Sequence, residues 1–138
     1  MVAAAVPAPA QDTTPAMVAA AEKEGKVVWY TAVDVKVAEG LAKVFREQYP
    51  KIQLDVERTG SERVLQRINQ EYQSNIKNVD VVNSSDASHF LFWKQQKWLA
   101  AHTPPDAQKF ASQYRDPEGF YHVWRATLCV MGYNTNLV

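Results

Sequence analysis

The sequence predicts an α/β fold built around a parallel sheet, on three observations. Short apolar runs rich in β-branched and aromatic residues recur about every 25 residues, at 26–31, 52–57 and 79–83. Each is followed by a stretch with helical periodicity, apolar on one side and charged on the other. Hydroxyl and acidic residues stand where those helices begin, as helix starts require. Strands that alternate with helices pair in parallel, joined by right-handed crossovers that lay the helices on the faces of the sheet.

The elements follow in order. Residues 1–10 (MVAAAVPAPA) are small and apolar and end in Ala8-Pro9-Ala10, the A-x-A form of a signal-peptidase site, so they read as the remnant of an export signal; the positive region and most of the apolar core of such a signal are missing, and a disordered Ala/Pro tail is the alternative. Residues 11–25 read as a polar connector that starts the domain. KVVWYT at 26–31, bounded by Gly25, is a buried strand. Over 35–49, Val37, Leu41, Val44, Phe45 and Tyr49 share one helical face opposite Lys36, Glu39, Lys43, Arg46 and Glu47, and Pro50 ends the helix. IQLDVE at 52–57 alternates apolar with polar, as a strand buried on one face near the sheet edge does. Thr59-Gly60-Ser61-Glu62 has the capping-box form and opens a helix to about residue 75, with Val64, Leu65, Ile68 and Tyr72 inward. VDVVN at 79–83 is the third strand, after which Ser84, Ser85 and Asp86 offer caps to a helix reaching about residue 97, with Ala87, Phe90, Leu91 and Trp98 inward. Pro104, Pro105, Pro117 and Gly119 mark a loop with one short helix around 107–114. YHVWRATLCVMGY at 121–133 has strand character, and a strand leading to the end of the chain reads as one cut where it was about to enter further structure, the alternative being a finishing strand that pairs in the same sheet.

Charge and composition narrow the function classes. The 138 residues carry 15 basic and 15 acidic side chains with no run of one sign, so no nucleic-acid or anionic-membrane footprint appears. One cysteine, Cys129, lies in an apolar run and reads as an inert core thiol; it allows neither a disulfide within the chain nor a thiolate metal cluster. No stretch approaches the roughly 18 apolar residues of a membrane span. TAVDVK after the first strand lacks the glycines of a dinucleotide or phosphate loop. His89, His102 and His122 are scattered, and although Asp86 and His89 share a helix face at i, i+3, that pair alone is too common to define a ligand set. No catalytic constellation emerges, and the chain reads as a non-enzyme without a resident cofactor.

Ligands of open parallel sheets bind outside the carboxyl ends of the strands, where strand order reverses. That rule selects Thr31-Ala32-Val33-Asp34, then Gly60-Ser61 with Thr59 before them, and Ser84-Ser85-Asp86. Each loop opens a helix, so its amides and the positive helix end suit an oxyanion or carboxylate. The same side chains are also ordinary N-caps, a reading that stands beside the ligand one. Arg125, after Trp124, adds a guanidinium able to clamp an anion, or equally to form a surface ion pair. Trp29, Tyr30, Trp93, Trp98 and Trp124 read as packing.

The segments KEGKVVWYTAVDVKVAEGLAKVFREQYP, VERTGSERVLQRI, VDVVNSSDASHF and VMGYNTNLV together resemble the first lobe of family 1 extracellular solute-binding proteins, specifically the ferric-iron-binding type, over about Glu22 to Val138. The resemblance implies a three-layer α/β lobe of the type II periplasmic-binding fold over 26–138, ending at the strand that crosses between lobes, with a second lobe missing. It implies a periplasmic protein that hands an ion or small solute to an ABC permease of the inner membrane. Iron-binding members place a histidine or acidic residue where Asp34 stands, and often an acidic residue where Ser85 falls. Asp34 is therefore the candidate metal ligand, while Ser84 and Ser85 fit an oxyanion better. Ferric iron as transported ligand, a phosphorylated or carboxylated metabolite and a small cation are all admitted, with an anionic solute favoured. The rival reading is a stand-alone α/β interaction domain or a non-functional fragment of a split gene.

Overall fold

A computed structural model describes residues 13–126 and 130–136. These fall into two compact units, one spanning Thr13–Trp98 and one beginning at Leu99. Among the described residues, the first holds the regular strands and α-helices: α1 (Pro15–Glu24), β1 (Lys26–Thr31), α2 (Val35–Gln48), β2 (Gln53–Arg58), α3 (Ser61–Gln73), β3 (Val81–Asn83) and α4 (Ala87–Gln95).

The sheet is parallel in the order β2-β1-β3. β1 pairs with β2 along its full length, from Lys26↔Gln53 to Thr31↔Arg58, and with β3 over Trp29↔Val81 to Thr31↔Asn83. The chain thus moves from β1 to one side and then crosses back to the other. Right-handed crossovers in opposite directions put α2 and α3 on opposite faces, giving the expected α/β layering. α2 packs on β2 and α3 on β1. Between them the core collects Tyr30, Val33, Ala38, Ala42, Ile52, Leu54, Val64, Ile68 and Trp93.

Several sequence expectations change at this point. The supposed connector at 11–25 contains α1, whose start is capped by Thr14 Oγ1 accepting from Met17 N at 3.2 Å and whose end is Gly25 in the left-handed region at φ 76°. The cues were present in Thr14-Pro15 and Gly25, but an alanine-rich helix with no buried residue shows no apolar stripe. β3 begins two residues later than predicted because Asp80 replaces a rung of the ladder: its Oδ2 accepts from Val28 N at 2.8 Å while its own N–H donates to Val28 O at 3.0 Å. α2 turns a different face inward. Ala38 and Ala42 are buried, whereas Val37, Leu41 and Val44 are exposed, because small side chains let the helix lie close against β2. α4 likewise buries His89 and Trp93 and leaves Leu91 half in solvent. Counting apolar residues alone overlooks a histidine whose ring is satisfied by hydrogen bonding.

Beneath the sheet α3 sets an ionic cluster against β1. Tyr30 Oη donates to Glu71 Oε1 at 2.8 Å, and Arg67 Nε donates to the same oxygen at 2.9 Å. Arg67 also reaches Glu57 at 3.0 Å and lies 4.5 Å from the Tyr30 ring centre. Burial, followed by the Glu71 hydrogen bond, pushes the Tyr30 phenol up to about 12. Its folded value therefore exceeds the unfolded one near 10, so the contribution is complete below pH 10 and is lost as pH rises toward 12. An ultraviolet titration should show one phenol ionising about two pH units late, with stability falling by on the order of 2 kcal/mol across that window. Tyr30→Phe should remove both effects; a titration in which no tyrosine is delayed would refute this account.

The second unit is built from short turns. In place of the predicted short helix stand two 3-10 turns, Pro105–Lys109 and Ser112–Tyr114. Asp116 then organises a reversal: its Oδ2 accepts from Glu118 N and Phe120 N, both at 3.2 Å, and Gly119 turns at φ 81°. Arg115 and His122 form one antiparallel bridge across it. The strand predicted over 121–133 does not form among the described residues 121–126 and 130–133; its backbone pairing there stops at the single bridge of His122 with Arg115, too short for a strand. Cys129, with 127–128 and the segment at 1–10, lies outside the described residues.

Candidate functional site

The first unit brings the three predicted loops to the carboxyl end of the sheet. Because β1 lies between β2 and β3, the loops that follow them flank the end of β1. This is the topological switch point of the fold.

Thr31 and Val33 lie below the surface, at 0% and 2% exposure. Thr31 Oγ1 accepts from Val33 N at 3.2 Å and donates to Asn83 Oδ1 at 3.3 Å, linking the loop after β1 to the end of β3. Val33 O accepts from Arg58 Nε at 3.0 Å, and Thr59 N donates to Thr31 O at 3.0 Å, which ties the loop to β2 as well. Ala32 is half-buried above this lattice. Asp34 is exposed at the N-cap position of α2 and does not accept from the first amides of that helix.

The capping box expected at Thr59 is absent. Gly60 is the N-cap of α3, with no side-chain cap bond, and Ser61 is the first helical residue. Ser61 turns its hydroxyl toward the other loop: Ser61 Oγ and Ser85 Oγ lie 2.8 Å apart, and Ser85 N donates to Ser61 Oγ at 3.1 Å. The starts of α3 and α4 are thereby pinned together. A Cβ at Gly60 would meet no atom within 4 Å and φ is −72°, so the backbone does not demand glycine there. Its bare surface leaves the approach to the first α3 amides open, amides that have no partner within the helix itself.

Asp86 does cap. Its Oδ1 accepts from Ser88 N at 2.8 Å, and hydrogen bonds from the Ser88 side chain and then from this amide hold its carboxyl below the usual carboxylate range. Ser84 Oγ accepts from Asp86 N at 3.2 Å and pairs with His89 Nδ1 at 2.8 Å. An open depression of about 730 Å³ lies over this junction, lined by Gly60, Ser61, Glu62, Arg63, Ser85, Asp86 and Ala87. It presents two helix starts, two serine hydroxyls, one guanidinium and two carboxylates. Such a surface donates hydrogen bonds to an oxyanion and offers oxygen ligands to a cation.

Of the predicted residues, then, Gly60, Ser61, Ser85 and Asp86 line one depression, Ser84 is bonded to the Asp86 amide, and Thr31, Ala32, Val33 and Asp34 are not among its lining residues. Arg125 belongs to the second unit, exposed, with its guanidinium 6.0 Å from the ring centre of Trp124. Sequence reasoning missed Glu62, Arg63 and His89. Glu62 was assigned to a capping box, and the partner that makes Asp86 and His89 notable comes from another helix.

The fold has solved counterparts. Iron-bound HitA from Pseudomonas aeruginosa matches over 68% of this chain with a TM-score of 0.59 at 16% identity. The Trichodesmium protein IdiA (FutA), solved with iron and citrate ligands, matches over 71% with a TM-score of 0.56 at 17% identity. The chain shares their fold. It spans about 30% of the length of each. No family model and no curated protein matches it. Among the described residues, no helix is long and apolar enough to cross a membrane.

Proposed function

We propose that this chain is the first lobe of a two-lobe periplasmic substrate-binding protein serving an ABC importer, and that it holds a small anionic solute or ferric iron at the carboxyl ends of its strands. The observation that carries the reading is the Ser61–Ser85 junction, which gathers two helix starts at the switch point under one open depression. Support also comes from the fold shared with two proteins solved with iron, one of them also with citrate. An anion would be met by serine hydroxyls, helix-start amides and the charge of Arg63; ferric iron would draw on carboxylate oxygens, with Asp34, exposed at the N-cap of α2, as a candidate ligand. In this reading the chain binds and does not catalyse. A second lobe closes over the solute by hinge motion, an inner-membrane permease receives it, and the importer's ATPase drives transport. An export signal at 1–10 would deliver the chain to the periplasm.

The test is a thermal-shift series on a protein in which this chain is continued into a second lobe, against ferric citrate, inorganic phosphate, a sugar phosphate and a dicarboxylate. At a hundredfold excess over Kd, the bound solute should stabilise by about 2.7 kcal/mol, a shift of several degrees. The Ser61→Ala/Ser85→Ala pair should weaken that solute at least about tenfold, the loss of roughly one good hydrogen bond to charge. Flat curves for all four, or an unaltered response in the double variant, would sink the reading.

A further inference from the structure

We infer that Glu62, Asp86 and His89 form a binding site for one divalent first-row transition-metal ion, at the edge of the depression and independent of whether the chain is a solute-binding lobe. One ligand atom from each of the three lies within 4.8 Å of the others. The imidazole is the anchor. Its side chain is only 4% exposed, and Nε2 faces Glu62 Oε1 at 3.4 Å and Asp86 Oδ2 at 3.9 Å. Both separations exceed a normal ring N–H···O bond. They match a different geometry. Two ligands each about 2.1 Å from a tetrahedral metal stand about 3.4 Å apart, so the histidine–glutamate spacing is already that of a shared ion.

The surroundings assign each remaining atom. His89 Nδ1 is engaged by Ser84 Oγ at 2.8 Å, the outer hydrogen bond that orients metal-binding imidazoles; with Nδ1 as donor, Nε2 presents its lone pair to the carboxylates. Ser84 is itself fixed by Asp86 N. Asp86 caps α4 through Oδ1 and is also hydrogen-bonded by the Ser88 side chain, while its Oδ2 is the oxygen that faces His89 Nε2. Glu62 is well exposed and adjusts freely, so the carboxylates can close around an ion without moving the backbone. Two carboxylates and a neutral imidazole balance a dication. One imidazole with two carboxylates suits zinc, manganese or ferrous iron better than calcium or magnesium, which favour all-oxygen sets. Three protein ligands leave a coordination position toward the depression, because Glu62 and Asp86 also line it. The two helix starts oppose a cation there, which weakens the site relative to a closed structural zinc site.

Equilibrium dialysis of the full chain against Zn²⁺ tests the site. One ion should bind per chain, and nitrogen NMR should place the perturbation on His89 Nε2 while Nδ1 keeps its hydrogen-bonded signal. Glu62→Gln and Asp86→Asn should each weaken binding at least about tenfold, with melting temperatures close to that of the parent, since asparagine also caps helices and Glu62 is exposed. His102→Gln/His122→Gln should bind as the parent does. No binding up to millimolar Zn²⁺, or binding lost in the His102/His122 variant and retained in both carboxylate variants, would overturn the assignment.

Discussion

Trp93→Ala is expected to destabilise the first unit by about 3–5 kcal/mol, the range for emptying a buried tryptophan site. Trp93 is 1% exposed and anchors a ring cluster, 5.3 Å edge-on to Phe90 and 5.8 Å from His89. Emptying that volume leaves a cavity beside α4 that a helix held by its N-cap at Asp86 cannot readily collapse into. Trp93→Phe should behave differently. The indole Nε1 is buried with no hydrogen-bond partner, so the native residue already carries a desolvation cost of about 1–3 kcal/mol that phenylalanine removes. The smaller ring offsets that gain by lost packing, and the net change should stay under about 1.5 kcal/mol. Urea unfolding midpoints for the two variants would decide; equal losses in both would show that Trp93 contributes through something other than volume.

Glu71→Ala should cost about 2–4 kcal/mol, because it strands two partners at once. Tyr30 Oη and Arg67 Nε both donate to Glu71 Oε1, and the tyrosine is nearly fully buried. Removing the carboxylate leaves a buried phenol hydrogen unsatisfied and a guanidinium with Glu57 as its remaining ion-pair partner. Tyr30→Phe alone should cost about 1–1.5 kcal/mol. In the double variant the phenol no longer needs the carboxylate, so the losses should fall short of their sum by about 1 kcal/mol. Strict additivity in a double-mutant cycle would mean that the hydrogen bond adds nothing to packing.

The order of strands and helices was legible in the sequence because burial repeats along it. A run such as KVVWYT at 26–31 has few other uses, and three such runs at even spacing leave little choice of fold class. Legibility failed where a polar group did an apolar or backbone task. Asp80 stands in for a strand carbonyl, and His89 fills a core position through its bond to Ser84; a tally of apolar residues sees neither. It failed again at α2, where two alanines make the contact and the larger Val37, Leu41 and Val44 do not. The site was half visible. Position at strand ends selected Ser61, Ser85 and Asp86 correctly as neighbours, since topology alone brings those loops together. Their bonding was not visible, because Ser61 meets Ser85 across 24 residues of sequence and no local pattern encodes that distance.

The shared hydrogen bonds between Ser61 and Ser85 also govern how the chain can vary. Neither side chain can be exchanged without changing the environment of the other, so substitutions at the two positions should be inherited and selected as a pair. A search for altered ligand preference that varies one position at a time would sample mostly broken intermediates. Libraries that vary 61 and 85 jointly, with the Thr31–Asn83 hydrogen bond left intact, address the unit that the geometry makes indivisible.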